Sequence, residues 1–250
     1  MFLLSSVFWL AYAYTNQVTL LTLLWAIGVS TIAIGGYVQN FYDDQVNPTR
    51  TYYSLPWLLI GNITLLTLSF FTNQWLFSSS GLLASLMLYF YSTRLKKHGL
   101  LGNITVALLT AWVFIGLALL LAITTVFNNL TSLLLLSFFA FTTTLSREWI
   151  KDIQDVDEDI ILGRKTLPML IGIKYTYIIN TLLSLVITCY LMYVSKQQTG
   201  YLFYWLILLC ISYVLASIYY YNKPNKAKHQ QLVIKIFQAI MILTWPFVDV

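Results

Sequence analysis

The 250-residue chain is too apolar for a soluble protein. Hydrophobic residues make up 59% of it and charged residues only 9%, with a mean hydropathy of +0.75, whereas a soluble domain carries about a quarter charged residues. So few charges cannot cover a water-facing surface, and lipid must therefore be the solvent for most of that surface. The net charge of +5 then indicates membrane orientation and not a nucleic-acid surface.

Apolar segments separated by polar breaks predict an all-α integral membrane protein with nine transmembrane helices. The predicted helices span residues 2–14, 18–40, 55–72, 75–91, 104–126, 130–150, 169–195, 201–221 and 231–248. The first is short for a crossing, which takes about 20 residues, and looks truncated. No Gly/Ser-rich or Pro-rich linker divides the chain, so a single domain over residues 1–250 is the simplest interpretation.

The lysine and arginine residues predict the orientation of these helices. Nine helices have eight loops between them, and all 14 Lys and Arg residues except Lys196 fall in the even-numbered loops or at their borders. The positive-inside rule then puts the even loops in the cytoplasm, the N-terminus inside and the C-terminus outside. An error in the helix count would destroy this asymmetry, which favours nine.

The acidic residues fall in two clusters on the same predicted face. Of the nine in the chain, only Asp249 lies elsewhere. One cluster follows helix two and the other follows helix six. Loops at a negatively charged membrane surface gain nothing by collecting carboxylates. The two clusters therefore suggest a cation site between them.

The second cluster has helical spacing. If helix six continues through it, Asp152, Asp155 and Asp159 lie at i, i+3 and i+7 on one face. Three like charges repel one another, which a multivalent cation would offset, and oxygen ligands favour Mg²⁺ or Ca²⁺. Arg147 and Lys151 lie one turn apart beside this face, where they could hold phosphate oxygens. A solvated acidic loop is the alternative.

The first cluster ends helix two. Asn40 and Asp44 are at i and i+4, so they too can share a face. Gly35–Gly36 permits close helix packing just before them, and Asn47–Pro48 predicts a turn out of the helix. An ordinary polar helix terminus is the alternative here.

From about Gly35 onward, the chain resembles the UbiA-type intramembrane prenyltransferases, whose two Asp-rich motifs follow helices two and six. A further stretch is similar to the branch of that family that acts on geranylgeranylglyceryl phosphate. The second motif is matched by Arg147–Glu148, Lys151–Asp152, Asp155, Asp159, Gly163 and Lys165–Pro168, and the branch-specific stretch by Tyr91–Ser92, Leu95–Lys96, Gly102–Asn103 and Val106–Ala107.

The first motif departs from the family pattern. Asn40 and Asp44 are kept, but Phe41 stands where the family has an aspartate. The last aspartate of the pattern is replaced by Pro48 or, if the chain has a deletion after Gln45, is missing. Asp43 would point about 100° away from Asp44 on a helix, so it replaces a lost carboxylate poorly. The start of helix one, which in members of this family is approached through an Arg-Pro sequence, is also absent.

The resemblance implies a nine-helix bundle in the cell membrane, with a cytoplasm-facing site for Mg²⁺ and a prenyl diphosphate. The implied catalytic residues are Asp44, Asp152, Asp155 and Asp159, which with Asn40 would also hold the metal. The implied substrate-binding residues are Asn40, Tyr91, Lys96, Asn103, Arg147 and Lys151. Aromatic faces suit an allylic cation, although packing explains a single aromatic residue more simply; the candidates near the motif ends are Tyr37, Tyr42, Tyr91 and Trp149.

Three function classes remain open from the sequence. The favoured one is prenyl transfer to a membrane acceptor, either a lipid such as geranylgeranylglyceryl phosphate or an aromatic acceptor such as 4-hydroxybenzoate. The altered first motif motivates a second, a degenerate member that binds prenyl diphosphate or lipid without turnover. A transporter or channel is the third, and it would want ionisable residues at mid-membrane depth. No nucleic-acid partner is expected.

Overall fold

The computed structural model describes residues 2–15, 19–44, 53–124, 130–195, 201–221 and 223–247, and every structural statement below concerns these. They form helices joined by short turns. The helices are α1 (Phe2–Thr15), α2 (Leu20–Asp44), α3 (Leu55–Thr72), α4 (Leu76–Thr93), α5 (Gly99–Thr124), α6 (Leu130–Gln154), α7 (Val156–Ile161), α8 (Leu167–Ile171), α9 (Ile173–Ser195), α10 (Tyr201–Tyr220) and α11 (Ala227–Thr244), with 3-10 turns at Leu95–Lys97, Pro224–Lys226 and Trp245–Phe247.

Each long helix predicted from hydropathy has a counterpart in the described ranges, but several ends differ. α5 begins at Gly99 and not at residue 104, and α6 runs to Gln154 and not to 150. Polar residues stopped the predicted segments, yet a helix can continue beyond an apolar segment because its backbone hydrogen bonds do not depend on hydropathy. The predicted seventh helix is divided at Gly172, whose φ of +88° interrupts the helical backbone between α8 and α9.

Five helices in the described ranges are long and apolar enough to cross a membrane. These are Leu20–Phe41, Leu55–Thr72, Gly99–Thr124, Leu130–Gln154 and Ile173–Tyr193. The all-helical class is therefore confirmed. Nine crossings and the side on which each loop lies stay predictions.

The chain divides into two compact units. The first contains residues 1–95 and 112–133, and the second contains residues 96–111 and 134–250. The division passes through α5 and α6, and each unit is described separately. The sequence analysis expected a single domain because no linker divides the chain, and that expectation stays a prediction.

In the first unit, glycines let α2 and α3 approach closely. A Cβ built on Gly61 would lie 2.9 Å from the carbonyl oxygen of Gly28, and a Cβ on Gly28 would lie 2.6 Å from Leu65. Small residues are the usual means by which membrane helices come into van der Waals contact, because lipid supplies no hydrophobic drive between helices. Gly35, expected to permit close packing, does so against Leu58 of α3.

A buried tryptophan organises the first unit. Trp25 of α2 is fully buried, and its Nε1–H donates to the carbonyl oxygen of Val113 at 3.1 Å. Phe77 and Trp112 meet its ring edge-on at centroid distances of 5.7 and 5.2 Å. Its six-membered ring lies against Gly116, where there is no room for a Cβ.

In the second unit, α6 bonds to three other helices through polar side chains. The hydroxyl of Tyr213 donates to Ser146 Oγ at 2.9 Å, and Ser146 donates to Asn180 Oδ1 at 2.7 Å, which links α10, α6 and α9. Gln238 of α11 donates to Thr143 at 3.0 Å. Buried hydroxyl and amide groups need such partners where water is excluded. These bonds fix the end of α6 that carries the second acidic cluster.

We predict that Gly116→Ala destabilises the protein by about 1–3 kcal/mol, because the added methyl would overlap the Trp25 ring. The ring cannot move aside without losing its bond to Val113. Thermal unfolding in detergent is the measurement. The matched control is Gly81→Ala, whose methyl meets the flexible end of Leu65; equal losses of stability in the two variants would contradict this account.

Candidate active site

The second acidic cluster lies where α6 ends and α7 begins. Asp155 interrupts the helix with φ −97° and ψ 11°, so helix six does not continue through the cluster without a break. Helical hydrogen bonding nevertheless crosses the break: Asp155 N–H donates to Lys151 O at 3.0 Å, and Asp159 N–H donates to Asp155 O at 2.8 Å. The cluster is therefore carried by a bent helical path and not by an irregular loop.

A glycine turn after α7 brings a cation back onto this cluster. Gly163 has φ +65°, and the bonds from Gly163 N–H to Ile160 O and from Arg164 N–H to Asp159 O form a Schellman-type helix end. The Arg164 guanidinium then donates to Asp159 Oδ1 at 3.1 Å. Asp159 is only 3% exposed, so this pairing compensates a buried carboxylate.

The segment after that turn is joined to the segment before α5 by a backbone bridge. Lys165 N–H donates to Lys97 O, and Gly99 N–H donates to Lys165 O, both at 3.0 Å, which makes a parallel bridge between His98 and Lys165. A Cβ on Gly99 would lie 2.5 Å from the Cα of Thr166, so the approach requires glycine. The bridge brings two basic segments, 96–98 and 164–165, together beside α7.

Asn103 connects α5 to the cluster. Its side-chain amide donates to Asp152 Oδ2 at 2.7 Å, and Asn103 itself is 6% exposed. The sequence resemblance implied a substrate-binding role for Asn103. The contact observed in the structure holds the carboxylate of Asp152, and the substrate-binding role stays a prediction.

An apolar cluster lies under these polar groups. Trp149 is 7% exposed and packs with Ala107, Leu145 and Leu167. Leu167 follows the bridged segment directly, so this cluster fixes the bridge to α6. Trp149, a candidate for facing an allylic cation, thus has a structural role in this core.

The electrostatics of the cluster combine like charges with local cations. Arg147, expected to hold phosphate oxygens, donates to the Glu148 carboxylate of the same helix. Burial raises the pKa of Asp155; Lys151 opposes this, while Asp159 and Glu158 add to it. Burial likewise raises the pKa of Asp159, although the hydrogen bond from Arg164 acts in the other direction. Ionising the cluster fully is therefore unfavourable without a further cation.

The cluster suits a metal held together with its substrate better than a metal held by protein alone. In the part of the chain that the structure describes, no three His, Cys, Asp or Glu side chains are grouped so as to hold a metal ion. Mg²⁺ usually takes only one or two carboxylates, with substrate phosphates and water completing its shell. Buried and half-buried aspartates that prefer not to be charged fit that pattern.

The remaining predicted site residues belong to the first unit. Asn40 and Asp44 both lie in the last two turns of α2, as expected, and Tyr91 is half-buried near the end of α4. The side chains of residues 42–44, and all of the Asn47–Pro48 turn, lie outside the described part of the chain. Tyr37 is 71% exposed, as expected of a tyrosine that anchors a helix at the membrane interface.

Sequence reasoning missed Arg164 as the partner of Asp159 and missed the bridge. The glycine at 163 was the signal for the first, because an αL residue after a short helix turns the next side chain back. The bridge had no local signal, since its partners are far apart in the chain and it forms through backbone atoms.

The UbiA prenyltransferase family matches residues 53–241 of this chain, most of its length. The chain belongs to that family, and its apolar helices make it a multi-pass membrane protein.

Relatives within the family carry one name. The digeranylgeranylglyceryl phosphate synthase of Sulfurisphaera tokodaii is 35% identical over 67% of this chain and 64% of its own length. The protein of that name from Pyrococcus furiosus is 28% identical over 94% of this chain and 87% of its own length. The chain thus spans less than two thirds of the first of these relatives. A solved structure from work on digeranylgeranylglyceryl phosphate synthase in membranes shares the fold, with a TM-score of 0.75 and 19% identity over 98% of this chain and 92% of that one.

We predict that Asp155→Asn raises the thermal stability of the protein at neutral pH in the presence of a chelator. A carboxyl group whose pKa is raised by folding favours the folded state at low pH, and that contribution is lost as the pH rises from 3.8 through the folded pKa. Asparagine cannot ionise, so the variant should lose less stability over this range. Melting temperatures across a pH series in EDTA measure the difference.

The control for this prediction is Asp157→Asn, because Asp157 is exposed and the change removes the same charge. Its melting temperature should follow that of the wild type. If the two variants respond to pH in the same way, the buried position of Asp155 has no part in the effect.

Proposed function

We propose that this protein transfers a prenyl group from a prenyl diphosphate to the hydroxyl group of a lipid acceptor such as geranylgeranylglyceryl phosphate. The observation that carries the proposal is the bent α6–α7 segment, where three aspartates lie among the cations that would receive a diphosphate. The family and the names of the relatives support the reaction class and the lipid acceptor. They give no support to an aromatic acceptor.

The cations of the second unit would bind the phosphate oxygens. Lys151 lies one turn before Asp155, and the backbone bridge holds Lys96 and Lys97 near Lys165. Charged donors bind phosphate oxygens more strongly than neutral ones, and they favour the departure of diphosphate because its negative charge grows as the carbon–oxygen bond breaks. Arg147 would join them only by exchanging its contact with Glu148 for the substrate.

The aspartates would contribute by holding a metal. Mg²⁺, when bound, neutralises the diphosphate so that it can leave with the bonding electron pair. Asp152, Asp155 and Asp159 are the proposed source of its one or two carboxylate ligands in the second unit, with Asn103 orienting Asp152. Asn40 and Asp44 are proposed as further ligands on the resemblance alone. The acceptor hydroxyl then forms the new carbon–oxygen bond and releases its proton.

The proposed topology is that of the sequence analysis. Nine spans put the even loops, which carry the second cluster and the basic segments 96–98 and 164–165, in the cytoplasm. The hydrophobic prenyl chain would then lie in the bilayer, with its diphosphate at the cytoplasmic boundary.

We predict that the purified protein converts labelled geranylgeranyl diphosphate and geranylgeranylglyceryl phosphate to a prenylated lipid in the presence of Mg²⁺. EDTA should abolish the reaction, and excess Mg²⁺ should restore it, because the aspartates otherwise repel the diphosphate. Thin-layer separation of the products, with 4-hydroxybenzoate as the alternative acceptor, is the measurement.

Each other outcome of that assay contradicts a defined part of the proposal. Undiminished product in excess chelator would refute the requirement for Mg²⁺. Product with 4-hydroxybenzoate alone would refute the lipid acceptor. Binding of geranylgeranyl diphosphate without any product would identify a degenerate member of the family that has kept the site and lost turnover.

We also predict that Asp155→Ala and Asp44→Ala each lower the turnover rate about a hundredfold or more, since each removes a proposed ligand of the Mg²⁺ that would neutralise the leaving group. Asp157→Ala is the matched control, because Asp157 is an exposed aspartate two residues from Asp155. It should stay close to wild type. Initial rates at saturating substrate, with circular dichroism to verify folding, are the measurement.

The double variant tests whether both motifs serve one step. Removing Asp44 from the Asp155→Ala protein should add little, because groups that act as a unit are non-additive. Full activity in Asp44→Ala beside a dead Asp155→Ala would remove the first motif from the reaction. In that case Phe41→Asp, which restores the family residue, should have no effect.

A further inference from the structure

A second group of cations lies at the end of α10 and in the turn that follows it. Tyr219 is the next-to-last residue of this helix, and two lysines from the following turn converge on its ring. Lys223 Nζ lies 3.9 Å and Lys226 Nζ lies 5.3 Å from the ring centroid. Lys226 Nζ also donates to the Tyr219 hydroxyl at 3.2 Å. We call these three residues the lysine clamp.

The backbone fixes the shape of the lysine clamp. Lys223 N–H donates to Tyr220 O at 3.1 Å, and Lys226 N–H donates to Lys223 O at 2.9 Å through the Pro224–Lys226 turn. Proline at the start of this turn presets its backbone angle. The two ammonium groups are therefore brought to the same ring by a tight local structure and not by chance extension of long side chains.

The charge of the lysine clamp has little compensation from the described residues. The sequence from 160 to 248 contains no aspartate or glutamate. Within the described residues, neither Lys223 nor Lys226 forms an ion pair; their recorded partners are the ring and the hydroxyl of Tyr219. A tyrosine face attracts a cation by only about 0.5–1 kcal/mol at an exposed site. Two neighbouring positive charges with so little compensation favour an anion as the third partner.

The surface next to the lysine clamp indicates where this anion would be. Along α10, an exposed apolar ridge leads up to Tyr219, which is itself 53% exposed. The ridge consists of Leu208, Ile211, Leu215 and Ile218, spaced at helical intervals and each between 46% and 59% exposed. Apolar side chains, then a tyrosine, then lysines follow the order of acyl chains, interface and headgroups in a bilayer. The lysine clamp therefore faces the level of lipid phosphates.

We propose that the lysine clamp of Tyr219, Lys223 and Lys226 binds the phosphate headgroup of an anionic bilayer phospholipid. The proposal uses none of the residues assigned to the diphosphate and does not depend on the proposed reaction. Lysine suits this role because its ammonium acts as a point charge that can follow a mobile phosphate. Its occupant would hold the α10–α11 turn at the membrane surface.

The test uses the whole protein, purified in neutral detergent at low salt. Phosphatidylglycerol or phosphatidylcholine is added in mixed micelles, and the affinity is read from the concentration dependence of the melting temperature. Lys223→Gln/Lys226→Gln should bind phosphatidylglycerol about tenfold or more weakly than the wild type, because the change removes both ammonium groups that would contact the phosphate. Phosphatidylcholine should not distinguish the variants.

The matched control is Lys174→Gln/Lys235→Gln, which removes the same charge from exposed lysines outside the lysine clamp. It should keep the wild-type affinity. If the clamp variant does not fold, Lys226→Gln and Lys226→Arg replace it: arginine should retain binding and glutamine should weaken it. Equal losses in clamp and control variants, or equal behaviour of Lys226→Gln and Lys226→Arg, would overturn the proposal. So would inorganic phosphate that competes at the same concentration as the lipid, because the site would then be one for free phosphate.

Discussion

Two backbone hydrogen bonds, one from Lys165 to Lys97 and one from Gly99 to Lys165, are the constraint on which the candidate site depends. They join the start of α5 to the segment after α7 without using a single side chain. Because Asn103 lies one turn further along α5, the same contact brings its amide to Asp152. The basic segments and the aspartates are thus held together before any ligand is present, which lowers the reorganisation needed to bind a charged substrate.

The arrangement of charge is unfavourable for the protein alone. Burial and neighbouring carboxylates raise the pKa of Asp155 and of Asp159, and Arg164 donates a hydrogen bond to the carboxylate of Asp159. A protein selected only for stability would replace such carboxylates with neutral residues. Their unfavourable ionisation is explained if a cation and a phosphate bind to them together. Trp149 and its apolar neighbours supply the rigidity that keeps the aspartates in place.

The long helices and the acidic cluster could be predicted from the sequence, because the membrane restricts which residues can form the helices that cross it. Apolar segment lengths gave the long helices, and the i, i+3, i+7 spacing identified Asp152, Asp155 and Asp159. The bend at Asp155 could not be predicted, since no Gly or Pro marks it. The Arg147–Glu148 pairing was also missed, because adjacent helical residues are not expected to face each other. Backbone bridges such as that at His98 leave no pattern in residue types.

The glycine at position 99 has a consequence for how this part of the chain can diverge. The bridge uses main-chain atoms of Lys97 and Lys165, so the side chains at both positions can change without opening it. Gly99 has no such freedom, because even a methyl group would meet the backbone at Thr166. The backbone path is therefore fixed here, while the side chains at positions 97 and 165 can vary. Single substitutions at these two positions could therefore change the charge at the proposed diphosphate site in descendants of this protein and still keep the fold of the site intact.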